Sequence, residues 1–163
     1  MAKDDKKPVL RSLIDRLVDD EPERPSDASL THTQLLLYHR ESVLRDLANL
    51  LNTRRRSPDP PASFEDLVPS MVDYGLRDFI FENLAAASVR ERLRATIEET
   101  IQRYEPRFKR VSVRLVDSGM TADPALKLRI EALLYAEPAP ISISFDSIMD
   151  PISGGFDVKG RGA

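Results

Sequence analysis

Pro106 separates two hydrophobic periods, and that separation limits what the chain can fold into. Before it, Val89, Leu93, Ile97, Ile101 and Tyr104 recur every three or four residues, which puts them down one side of an α-helix. After it, from Phe108 to Val116, Val111, Val113 and Leu115 alternate with Ser112 and Arg114, the period of a strand with one buried face. Proline has no amide hydrogen and its ring collides with the preceding turn, so the helix must stop. Tyr104-Glu105-Pro106-Arg107 is therefore a helix–strand corner, with opposite charges on either side of a rigid residue. Such a position suits gripping a partner better than filling a core.

The period of two persists beyond the corner. After a turn around Ser118-Gly119, Leu126, Leu128, Ile130 and Ala132 alternate with Lys127, Arg129 and Glu131; after a turn at Glu137-Pro138-Ala139-Pro140, Ile141, Ile143 and Phe145 alternate with Ser142, Ser144 and Asp146. A short last strand, Phe156 to Val158, comes after Ser153-Gly154-Gly155 and leaves one edge open to another chain's strand. Helices first and a strand meander last predict an α+β fold: N-terminal helices packed on one face of a C-terminal, mainly antiparallel sheet of three to four strands, the other face wet.

The helical half has its own punctuation. Residues 1–29 read as a flexible lead carrying one short amphipathic helix, in which Leu10, Leu13, Ile14 and Leu17 form an apolar stripe. Helices this short are marginal alone, so the stripe docks on its own domain or on a neighbour. The linker Asp19 to Ser29, with Pro22 and Pro25 among acids, favours the neighbour. A domain over 30–158 then opens near Thr31, with Gln34 completing a capping box. Val43, Leu44, Leu47, Leu50 and Leu51 form the buried face of that helix, and Arg45, Asp46, Asn49, Asn52 and Thr53 cover the other. Arg54-Arg55-Arg56 closes it, where cations complement the helix dipole, before a break at Ser57 to Pro61. Ser63 and Asp66 are set to cap a short helix, Asp73-Tyr74-Gly75-Leu76 reads as a turn that needs glycine, and Ser88 with Glu91 forms the box that starts the third helix. Residues 159–163 read as a disordered tail.

Composition narrows the functions. A 41% hydrophobic share supplies a core, and a net charge of −3 gives no field that would draw the chain to nucleic acid or anionic lipid. The absence of cysteine excludes disulfides and thiolate chemistry. The polar start lacks the apolar run of a secretory signal, and no segment approaches the ~20 apolar residues of a membrane helix, so the chain reads as soluble and cytoplasmic. His32 and His39 lie ~10 Å apart along one helix, too far for one ion. No Ser-His-acid set and no phosphate-binding glycine loop is present, so neither metal nor cofactor is expected. Glu98, Glu99 and Glu105 are the candidates for a carboxylate-pair hydrolase, but Glu98 and Glu99 lie off the apolar stripe, where solvation is the default. The basic runs at Arg54 and Arg107 lack the interleaved aromatics of a nucleic-acid platform.

Taken in order, Arg45-Asp46-Leu47 with Leu50-Leu51-Asn52-Thr53-Arg54, Asp73-Tyr74-Gly75-Leu76 with Asp78-Phe79, and Tyr104-Glu105-Pro106-Arg107 resemble the TssE family of type VI secretion baseplate proteins, the phage-tail wedge family sometimes labelled lysozyme-like. Ser12 to Leu17 resembles the short amphipathic lead of that family, and the similarity runs from Leu10 to Val158. Arg77 stands where the family often has proline, which implies a looser local turn. The resemblance implies a non-catalytic structural subunit, placed with TssF and TssG, near TssK and around the spike protein VgrG; it implies too that the subunit's own sheet, like the handshake domain of sheath subunits, seeds the contractile TssB/TssC sheath. It also implies that Glu105, Pro106 and Arg107 carry assembly contacts. On this reading the protein-binding residues are those three with Arg45, Asp46, Asn52 and Arg54 of the second helix, Leu13, Ile14 and Leu17 of the lead, and Phe156 and Val158 of the last strand. The alternatives are peptidoglycan hydrolysis and an adaptor that engages a regulatory protein.

Overall fold

The structure, a computed structural model, describes residues 13–18, 22–23, 31–55, 63, 70–79, 81–116, 125–136 and 139–161. The lead over 1–7, most of the 19–29 linker, the break at 57–61, the short helix expected after Ser63 and the turns at 118–119 and 137–138 lie outside them. The described elements are α1 (Leu13–Leu17), α2 (His32–Asn52), α3 (Ala87–Tyr104), β1 (Phe108–Leu115), β2 (Leu126–Leu134), β3 (Ile141–Met149) and β4 (Phe156–Gly160). Helices precede one antiparallel four-stranded sheet of order β1-β2-β3-β4, the α+β arrangement read from the two periods. The last strand runs past Val158 to Gly160.

Thr31 caps α2 as expected: its Oγ1 accepts from the Gln34 N–H at 3.3 Å, and its own N–H donates to Gln34 Oε1 at 2.8 Å. The box expected at α3 does not form. The helix begins at Ala87 after an Ala86 cap with no side-chain bond, because the Val89 and Arg90 amides both reach the Ala86 carbonyl. Ser88 is thereby inside the first turn, and Glu91 bonds Arg94 at 2.7 Å instead. The arginines after α2 also differ from expectation. Thr53 caps the helix, and Arg54 and Arg55 continue in an extended segment bridged to Leu76: the Arg55 N–H donates to the Leu76 carbonyl at 2.7 Å and the Leu76 N–H to the Thr53 carbonyl at 2.8 Å. Backbone pairing with the distant loop takes the residues that would have extended the last turn.

The core lies between the helices and one face of the sheet. Cross-strand registers stack Val113, Ile130 and Phe145 in one row and Val111, Ala132 and Ile143 in the next, all buried. Val43, Leu47, Leu50 and Leu51 of α2 and Leu93, Ile97 and Ile101 of α3 close over them, α3 against β1 and α2 beside β4. Each fully buried aliphatic or aromatic side chain contributes about 1.5–3 kcal/mol, so these rows supply most of the driving force. The opposite face is polar, with Arg129 bonded to Asp146 at 2.9 Å and Arg114 to Glu131 at 3.3 Å. Ser147 interrupts the inner face: its Oγ is buried between Leu128 and Val158 with no hydrogen-bond partner.

The backbone at Gly75 and the hydroxyl of Ser147 can each be tested by urea unfolding. Gly75 has φ of +105°, and a Cβ there would sit 2.3 Å from the Thr53 carbonyl oxygen, so Gly75→Ala is expected to lower stability by about 2–3 kcal/mol. Ser147→Ala removes an unsatisfied hydroxyl and is expected to leave stability unchanged or raise it by up to about 1 kcal/mol in the same measurement.

Candidate functional site

The site grows out of the corner that Pro106 imposes. The Glu105 N–H completes α3 by donating to the Ile101 carbonyl at 2.9 Å, and the Phe108 N–H turns back to the Glu105 carbonyl at 3.1 Å. This tight turn brings Arg107 under its own neighbour. Its Nε donates to Glu105 Oε1 at 2.6 Å and its backbone N–H to the same oxygen at 3.2 Å. The other arm of the guanidinium reaches α2, donating to Asp46 Oδ2 at 2.7 Å and Ser42 Oγ at 3.2 Å. Glu105 is only 6% exposed and Ser42 is buried. The charges that the sequence suggests for gripping a partner are thus first bonded within the chain. Burial acts against the Arg107 charge, but the bonds and charges of Glu105 and Asp46 more than offset it and hold the guanidinium above its ordinary range.

A second carboxylate organises the adjoining loop. Asp73, 4% exposed, accepts from Arg55 at 2.9 Å, Arg103 at 3.0 Å and the Tyr104 hydroxyl at 3.3 Å. Tyr74 meets Tyr104 edge to face, with ring centroids 5.3 Å apart. Three stretches distant in sequence therefore meet in one patch: Ser42 to Asp46, Asp73 to Leu76, and Arg103 to Arg107. Ile14, Asn49, Tyr74, Tyr104 and Pro106 rim an open groove over Asp46, Glu105 and Arg107. His39 lies behind this patch on α2; burial first, then the Arg107 charge, lowers its pKa against the opposing pull of Glu105 and Asp15.

Arg45 joins α1 to this patch by bonding Asp15 at 2.7 Å, which leaves two apolar side chains of α1 facing outward: Ile14 is 66% exposed and Leu17 83%. Leu13 begins the same helix. Asn52 and Arg54 are placed elsewhere, on the β3–β4 hairpin. The Asn52 amide donates to the Phe156 carbonyl and accepts from the Phe156 N–H, both at 2.9 Å, while Arg54 donates to the Ser153 carbonyl at 2.7 Å and faces Asp78 at 3.4 Å. Phe156 is buried and Val158 half-buried on the inner face.

Sequence reasoning missed Ser42, Arg103, Arg94 and the central place of Asp73, because nothing local marks a residue whose partner comes from an element that only the fold brings near. It also assigned Glu98 to solvent, whereas that carboxylate bonds Arg94 and the backbone of β1, both at 2.8 Å. Glu99 bonds Arg103 at 2.6 Å, so each carboxylate considered for hydrolysis is engaged by an arginine. Among the described residues no cluster has the make-up of a metal site, and no helix is long and apolar enough to cross a membrane.

A family model described as baseplate wedge protein gp25 matches residues 38–139. That stretch contains both ends of every bond in the Arg107 and Asp73 networks. No curated protein matches the chain.

Removing the guanidinium leaves Glu105 buried beside Asp46 with no cation, so Arg107→Ala is expected to cost about 3–5 kcal/mol in denaturant unfolding. Adding Glu105→Gln and Asp46→Asn to that variant is expected to recover part of the loss; a cost below about 0.5 kcal/mol for Arg107→Ala alone would show that the pairing does not hold the corner.

Proposed function

The chain belongs to the family of baseplate wedge protein gp25, and from that premise we propose that it is a structural, non-catalytic subunit of a type VI secretion baseplate in the cytoplasm. In this role it joins the wedge proteins TssF and TssG, with TssK and the VgrG spike nearby, to the TssB/TssC sheath. The observation that carries the reading is the convergence of residues from all three motif stretches on one groove, rimmed by the exposed Ile14 of α1, with Leu17 of the same helix also exposed.

The chemistry supports this division of labour. The Glu105–Arg107–Asp46 network makes the corner stiff, so the exposed Pro106 and the half-buried rings of Tyr74 and Tyr104 form a pre-shaped surface that loses little entropy on binding. Ile14 and Leu17 add an apolar strip at its rim, which suits the flank of a partner helix. Arg45 and Asp46 hold that strip in place. The sheath is engaged differently, through backbone: an extended segment added to the outer side of β4 beside Val158 continues the sheet and sets the register of each strand added after it.

Leu17→Asp changes an exposed side chain, so the variant is expected to melt within about 2 °C of the parent. In cells it is expected to lose co-purification with the wedge proteins and to form few sheaths by fluorescence microscopy. Normal sheath numbers in that variant would exclude α1 from the assembly. A tagged parent chain that brings down neither wedge nor sheath proteins would overturn the baseplate role in this secretion system.

A further inference from the structure

Both margins of the sheet are touched by helix side chains that behave like a piece of strand, and they are touched at different places. In an antiparallel ladder, residues alternate between those whose backbone groups face the neighbouring strand and those whose groups face outward. In β1 the Val116 N–H donates inward to the Lys127 carbonyl, so Val111, Val113 and Leu115 present their backbone outward. Val113, at the centre, is occupied on both sides: its N–H donates to Glu98 Oε2 at 2.8 Å and its carbonyl accepts from Arg94 at 3.2 Å. Glu98 and Arg94, one turn apart on α3, are themselves bonded at 2.8 Å, so they form one rigid clip. A register shift between Phe108 and Arg110 distorts the start of the same strand.

The β4 margin is treated otherwise. Bonds from the Asp150 N–H to the Gly155 carbonyl and from the Arg161 N–H to the Ser144 carbonyl set the inward phase, so the backbone groups of Phe156, Val158 and Gly160 point away from β3. Asn52 takes both groups of Phe156, at the first residue, and Arg40 of α2 donates to the Arg161 carbonyl past the last, so the outward groups of Val158 and Gly160 lie between these two contacts. Lys159, Gly160 and Arg161 are exposed there.

We infer that Arg94 and Glu98 are an edge guard: by filling the outward backbone of β1 at its midpoint they prevent that margin from accepting a strand, and so restrict strand addition to β4 beyond Phe156. The guard is read from β1 alone; only its consequence for β4 rests on the strand-addition reading above. An unguarded β1 would offer Val111, Val113 and Leu115 as three successive outward positions, enough to pair with the same strand of a second copy of this chain.

The test uses the full chain and no partner, so its failure is separate from a failure to bind baseplate proteins. Glu98→Ala is compared with Glu98→Gln, which keeps an acceptor for the Val113 N–H, by amide hydrogen exchange and sedimentation velocity. In the Ala variant the Val113 amide of the monomer, at low concentration, is expected to exchange about tenfold faster than in the parent. As concentration rises, dimer is expected to form with Val111 and Leu115 newly protected. The Gln variant should stay monomeric and close to the parent. If Glu98→Ala does not fold, Arg94→Met, which frees the Val113 carbonyl and keeps the helix packing, takes its place and is read by dimer formation and by protection of Val111 and Leu115, because Glu98 still holds the Val113 N–H. A folded Glu98→Ala variant that stays monomeric with unchanged Val113 exchange overturns the guard, as does a folded Arg94→Met variant that stays monomeric, or a dimer of either in which the β1 amides gain no protection.

Discussion

One guanidinium decides how the helices meet the sheet. Arg107 stands where α3 gives way to β1, and it bonds the carboxylate two residues back while reaching across to Ser42 and Asp46 on α2. A carboxylate as buried as Glu105 is tolerable only when paired and hydrogen-bonded, because its desolvation otherwise costs several kcal/mol. Compared with an apolar contact of similar size, such a pair adds little net stability. It adds direction: an apolar corner could slide or rotate on α2, whereas a forked guanidinium held by two carboxylates has one arrangement. Burial first and the Arg107 charge second lower the pKa of His39, since a second cation beside Arg107 in a half-buried place is disfavoured.

The same economy governs the margins of the sheet. Four antiparallel strands leave two outer edges, each a template for unwanted pairing. Here the helices that cover the inner face also send side chains around to the backbone, Asn52 to Phe156 and the Arg94–Glu98 pair to Val113. Asn52 supplies a donor and an acceptor from one amide, so it substitutes for one residue of a neighbouring strand. Packing and edge protection are therefore properties of the same two helices, and a change that shifts α3 on β1 alters both.

Much of this is legible in the chain itself. The change from helical spacing to alternation at Pro106 predicts the α3–β1 junction, the alternating runs predict which face of each strand is buried, and Gly75 adopts the positive φ that its turn demands. Thr31 and Gln34 cap α2 because that signal is local. The start of α3 departs from its sequence signal because a backbone turn at Ala86 competes with the Ser88 side chain and wins. Arg54 and Glu98 read as a helix-dipole cation and a solvated acid because their partners, Ser153 and Val113, come from elements that only the tertiary fold brings near. Helical and strand periods report which face is buried. They carry no record of which polar group ends beside which backbone amide.

The matched stretch, 38–139, ends between β2 and β3. It therefore encloses the whole elbow, with α3, β1, the Asp73 loop and most of α2, and it omits α1, β3 and β4. The family likeness thus rests on the part of the molecule that makes the stiff charged corner and the guarded β1 margin. The β4 margin comes from outside that stretch, yet its position is set from inside it, because Asn52 grips Phe156 and Arg54 grips the Ser153 carbonyl. A strand that joined β4 would consequently be registered against α2, the helix that Arg107 locks to the corner. The elbow and the β4 margin are therefore tied through one helix, so a displacement of the corner on α2 is carried to that margin.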